Sequence, residues 1–137
     1  MRKTILLGAI FVSSLAFTQQ KSPVLGGDRD VHGCIGSAGY TYSQIKNDCV
    51  RVFEQKIKLK EVSSDKSYTS MTAVIFSKDM KRAEIFIPDG NAKSIILTRE
   101  GKSKMWKSGS YIKEAYVLVP FKKKGYQLKK DNVVIYQ

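Results

Sequence analysis

Histidine, cysteine and acidic side chains are the scarce residues of this chain. Its 137 residues include one histidine, two cysteines, one tryptophan and three prolines. The lone histidine, His32, can act as a general base only beside a positioned nucleophile. No Gly-x-Ser-x-Gly elbow and no phosphate-cradling glycine loop accompanies it, so a hydrolytic triad is not expected and the chain reads as non-enzymatic. Two cysteines do not complete a metal site, because the other ligands are missing. Acidic residues number 12 against 24 Lys and Arg, a formal charge of +12. So basic a chain attracts anionic material. Past the N-terminus no apolar run approaches the roughly 20 residues that a membrane-spanning helix needs. No internal repeat or low-complexity segment stands out.

What is present begins with an export signal. Arg2 and Lys3 precede an apolar run over residues 5–12, and Ser13-Ser14-Leu15-Ala16 supplies small residues for cleavage. That pattern predicts a signal peptide over residues 1–18, followed by a polar linker over 19–25 that contains Pro23. No cysteine lies near the cut. The expected product is periplasmic or secreted and not lipid-anchored, two charges less basic once Arg2 and Lys3 are gone. In an exported chain Cys34 and Cys49 are expected to pair. Closing a loop of about 15 residues is worth about 3 kcal/mol in the chain-entropy account. Outside the cytoplasm the anionic candidates are lipid, lipopolysaccharide, teichoic acid and other wall polymers. Nucleic acid is not expected, because the aromatic residues do not interleave with the basic runs as a stacking platform requires.

Residues 26–62 read as a cysteine-containing N-terminal module packed on a sheet. Its glycines (Gly26, Gly27, Gly33, Gly36 and Gly39) favour turns. Thr41-Tyr42-Ser43-Gln44 has the form of a capping box and predicts a short helix that carries Ile45 and ends near Cys49. From Val50 the period changes to two: Val50 and Val52 flank Arg51, and Ile57 and Leu59 alternate with Lys56, Lys58 and Lys60. This is a half-buried strand with a basic face. Residues 68–137 then alternate short apolar segments with turn chemistry, such as Pro88-Asp89-Gly90-Asn91. The predicted fold is all-β: a small antiparallel barrel or sandwich with a disulfide-pinned N-terminal loop and short helix.

Two groups of side chains call for a chemical reading. Asp28, Asp30 and His32 alternate as metal ligands can, but calcium usually takes six or more oxygens. A polar loop whose carboxylates accept backbone N–H groups is the stronger expectation. No metal or other cofactor is expected, and these three remain the weak metal candidate. The acidic pairs Asp79 with Glu84 and Asp89 with Glu100 lack the facing-carboxylate arrangement of a glycosidase and read as solvated charges.

The last third carries a resemblance. Ser108-Gly109-Ser110-Tyr111 leads into the apolar strand Tyr116-Val117-Leu118-Val119. A basic loop, Lys122-Lys123-Lys124-Gly125, follows, and then Lys130-Asp131 and a closing strand, Val133 to Tyr136. Over roughly residues 71–136 this order resembles the membrane-bound lysozyme inhibitor of c-type lysozyme, a family of small secreted bacterial β-proteins. The resemblance implies a non-enzymatic inhibitor whose loops enter the lysozyme cleft and bond its catalytic carboxylates. Ser108 and Gly109 match the family's Ser-Gly, Tyr111 its loop tyrosine, Tyr116 the strand-leading tyrosine and Lys124-Gly125 the Lys-Gly loop. The first loop is one residue shorter than the family's and the second longer, so the inhibitory lysine is Lys122, Lys123 or Lys124. A hydroxyl and an ammonium suit ionised carboxylates, which only accept hydrogen bonds. Two functions follow as expectations: a plug for a c-type lysozyme, or a basic envelope-binding module for anionic lipid or wall polymer.

Overall fold

The computed structural model describes residues 27–62, 70–88, 94–110 and 112–137. The predicted signal peptide, the 19–25 linker, Asp89 and Tyr111 lie outside these described residues. The all-β expectation holds. A first hairpin pairs β1 (Tyr40–Ser43) with β2 (Asp48–Arg51). Eight further strands follow: β3 (Ile57–Lys60), β4 (Met71–Phe76), β5 (Arg82–Phe86), β6 (Ser94–Thr98), β7 (Trp106–Ser108), β8 (Tyr116–Phe121), β9 (Gly125–Lys130) and β10 (Val133–Tyr136). They form one antiparallel meander in sequence order.

The meander curls until its ends meet. Lys60 N–H donates to the Gln137 carbonyl at 2.8 Å, Gln137 N–H returns to the Lys60 carbonyl at 2.9 Å, and Val62 N–H reaches the Ile135 carbonyl at 3.0 Å. Closure of this kind covers edge strands that would otherwise present unpaired backbone. Inward positions alternate with outward ones, and Leu59, Val74, Ile85, Leu97, Trp106, Leu118 and Leu128 fill the interior. At eight strands a barrel is just wide enough for side chains to fill. β3 lies inside the 26–62 stretch, yet it is a strand of this sheet, so module and barrel share it.

A second apolar cluster explains why β4 reads apolar on both faces. Val74 and Phe76 point into the barrel, while Ala73 and Ile75 point out and meet Phe86, Val50, Ile45 and Val52 of the N-terminal module. The Cys34–Cys49 disulfide forms as expected, joining the glycine-rich loop to β2.

The predicted capping box does not form. Thr41, Tyr42 and Ser43 lie in β1, and residues 44–47 turn back into β2, with Tyr42 opposite Cys49. The Gln44 N–H that Thr41 would have capped has a stronger acceptor. Ser43 Oγ and the N–H groups of Gln44 and Ile45 all bond the Glu84 carboxylate on β5. Asn47, left-handed at φ 53°, completes the turn. Among the described residues, helical geometry is confined to the single 3-10 turns Gly36–Ala38 and Val52–Glu54.

Candidate functional site

In a meander, successive turns fall at alternate ends of the barrel. The β4–β5, β6–β7 and β8–β9 connections therefore share one end, and each is rich in lysine. The first, residues 77–81, is knitted internally. Ser77 Oγ donates to Asp79 Oδ1 at 2.6 Å, and Lys81 N–H donates to the same oxygen at 3.0 Å. These bonds, the hydroxyl's first, hold the Asp79 carboxyl below its usual range. Lys78, Lys81 and Arg82 are left exposed. The second connection, residues 99–105, is stitched to the first by Arg99 N–H donating to the Lys81 carbonyl at 2.8 Å. It exposes Lys102, Lys104 and, at 40% of its surface, Met105. The third is the exposed Lys122–Lys123–Lys124 turn, with Lys122 Nζ 5.1 Å above the Phe121 ring. Asp79 and Glu100 are the only acidic residues in these three connections.

The floor beneath them is aromatic. Phe76, Trp106 and Tyr126 come from the ends of β4, β7 and β9 nearest this mouth. Their ring centroids are 4.9 Å (Phe76–Trp106), 5.0 Å (Phe76–Tyr126) and 6.0 Å (Trp106–Tyr126) apart. Tilted contacts of this kind are favoured between ring quadrupoles. Trp106, only 3% exposed, donates its Nε1–H to the Met80 carbonyl at 2.9 Å. The Arg99 guanidinium lies 5.1 Å above the Trp106 ring. The first two basic turns are thus tied through Met80, Lys81 and Arg99 to the buried Trp106.

The opposite end is more evenly charged among its described residues. Lys130 Nζ meets Glu114 Oε1 at 2.7 Å, and the Tyr116 hydroxyl donates to Glu114 Oε2 at 2.7 Å. Lys130 first, then Tyr116, hold the Glu114 carboxyl below its ordinary range.

The residues marked by the resemblance divide between the two ends. Ser108 ends β7 and spends its hydroxyl inside its own loop, accepting from Tyr116 N–H at 3.0 Å and lying 3.4 Å from the Glu114 carbonyl. Tyr116 is buried. Lys122, Lys123, Lys124 and Gly125 sit at the far end of β8. Six residues of strand, at roughly 3.3 Å each, put about 20 Å between the two loops. The structure therefore does not bring Ser108 and the lysines together. The signal was legible, because one strand between two loops sends them to opposite ends. Gly125 has a steric role: a Cβ there would stand 2.9 Å from the Phe121 carbonyl oxygen. Ser108, Gly109 and Ser110 do line a shallow groove of about 540 Å³ with Thr98, Glu100, Ser103, Met105 and Lys107, running along β7 toward the basic end.

The acidic loop of the N-terminal module is committed to backbone. Asp28 accepts from Ser37 N–H and Ser37 Oγ, both at 2.6 Å, which lowers its pKa. Asp30 Oδ1 accepts from His32 N–H at 2.9 Å and Cys34 N–H at 2.8 Å. His32 stacks on Tyr42 at 3.7 Å. Among the described residues no group of three or more His, Cys, Asp or Glu converges as metal ligands would.

Glu84 departs from its reading as a solvated charge. It is 0% exposed and accepts Ser43 Oγ at 2.6 Å, Gln44 N–H at 2.8 Å and Ile45 N–H at 3.2 Å. Its donors lie about 40 positions away in sequence, so no local pattern announces it. The aromatic floor and the stacking of Arg99 were likewise not anticipated. No protein-family model, curated protein or solved structure matches this chain.

Proposed function

We propose that this is an exported, non-enzymatic protein that binds anionic material of a cell envelope through the basic end of its barrel. The observation that carries the reading is the gathering of three lysine-bearing turns at one end, with Asp79 and Glu100 as the acids among them. A basic side chain near an anionic surface contributes about 1 kcal/mol, so several acting together give useful affinity without a deep pocket. Exposed charges are screened over about 8 Å at physiological ionic strength. Binding to anionic vesicles or to a teichoic-acid-type polymer is therefore expected to weaken steeply as salt rises. Binding that ignores salt, or none even at low salt, removes this reading.

A second reading, inhibition of a c-type lysozyme, is favoured by one observation: the Lys122–Lys124 turn is exposed at a barrel end and free to enter a cleft. It keeps only one of the two loops that the resemblance implies, because Ser108 is engaged within its own loop. Clearing of cell-wall suspensions by lysozyme, with and without the protein, tests it. Inhibition lost on replacing Lys122, Lys123 and Lys124 by alanine but kept in Ser108→Ala assigns the activity to the lysine turn. No inhibition by the wild-type chain ends this reading.

A further inference from the structure

We propose that the barrel mouth docks end-on against the phosphate headgroups of an anionic lipid bilayer, with Arg99 as its fixed contact and the lysine turns as the surrounding field. This rests on the anionic-binding reading and names its site and ligand. Leu97 points into the barrel and Thr98 out, so Arg99 turns back over the mouth. Its backbone is held by the bond to the Lys81 carbonyl, and its guanidinium lies on Trp106, which is itself tied to Met80. Its Nε is buried and, among the described residues, has no hydrogen-bond acceptor. A guanidinium held in this way loses little freedom on meeting a phosphate, and its planar fork matches two phosphate oxygens. The lysines around it are unlike Arg99. They are exposed at the tips of turns, where they act as a field rather than as a fixed contact.

Two further features favour a bilayer over a flexible polymer. The three turns end one barrel and so face one way, as a flat surface requires. Between the lysines the same end exposes Met105, and the half-buried Phe121 ring lies under Lys122. Apolar groups among cations suit the boundary between headgroups and acyl chains.

The test uses the full chain and measures partition onto phosphatidylglycerol-containing phosphatidylcholine vesicles. Pure phosphatidylcholine vesicles supply the baseline, including any contribution from the apolar run at residues 5–12. Replacing Lys102, Lys104 and Lys123 by alanine is expected to lower partition about a hundredfold. Replacing Lys60, Lys113 and Lys129, which removes the same charge away from the mouth, is expected to change it by less than about threefold. Arg99→Lys keeps the charge but loses the fork, and a severalfold loss is expected with the thermal midpoint retained. Equal losses from the two triple variants overturn the end-on site while leaving anionic binding standing, as does an Arg99→Lys protein that partitions like wild type. Binding of poly(glycerol phosphate) without binding of anionic vesicles overturns the lipid assignment alone. If the wild type binds neither, both readings fall.

Discussion

Taking away the Glu84 carboxylate leaves three donors from the first hairpin facing the outer surface of β5 with nothing to accept them. A buried donor stripped of its acceptor costs about 1–3 kcal/mol. Glu84→Ala, which strands three such donors, is therefore expected to lower unfolding free energy by about 3 kcal/mol in a urea titration. Glu84→Gln keeps one acceptor oxygen but sets an amide N–H against a backbone donor, so an intermediate loss of about 1–2 kcal/mol is expected. An alanine variant as stable as wild type would show that the hairpin is held by its apolar cluster alone. The same residue explains why Thr41–Gln44 is strand and turn: the Gln44 N–H that Thr41 would have capped is already bound to Glu84.

Among the elements, the β8–β9 hairpin shows how a motif residue can be kept for backbone reasons. Phe121 pairs with Gly125 across the turn, and Lys122 takes the left-handed conformation at φ 54°. A methyl on Gly125 meets a backbone oxygen rather than a flexible side chain, so the strand has to move. Gly125→Ala is expected to cost about 1–3 kcal/mol, as overpacking does. It is also expected to displace the amide resonances of residues 121–126 in an NMR comparison. Unchanged stability and spectrum would mean that the turn has slack to spare. The β9–β10 turn is simpler. Asp131 and Asn132 have φ of 49° and 67°, the two-residue turn that matches strand twist and favours these residue types.

For the molecule as a whole, the disulfide and the barrel are separable. Both cysteines lie in the N-terminal module, and no strand of the barrel carries one. Replacing Cys34 and Cys49 together by alanine is expected to cost about 3 kcal/mol, the entropy of the opened loop. The barrel is expected to survive, since its interior cluster and its β3–β10 closure remain. Trp106, tied to Met80 and packed on Phe76, reports on this: its emission should match wild type in buffer while the unfolding midpoint falls. Loss of the native Trp106 signal in buffer would show that the disulfide is required for the barrel to form.

Local chemistry determined the class of this fold. Alternation at period two in Ile57–Lys60, the turn residues between short apolar segments and a lone pair of cysteines act over a few neighbouring positions. They point to an antiparallel β-protein with one disulfide wherever the chain goes next. The same few-residue view fails where a partner is distant. It sees the capping-box pattern of Thr41 and Gln44 and expects a helix, because Glu84 lies some 40 positions away. The order of Ser108 and Lys124 is local too, and the single strand between them, itself readable, holds their loops about 20 Å apart. Only the closed meander decided which turns share an end, and hence that the lysines of three separate connections make one basic surface. Its closure also brought Phe76, Trp106 and Tyr126 together, with Arg99 over Trp106. Side chains that far apart in sequence meet only when strand pairing and barrel curvature have set where every strand begins and ends.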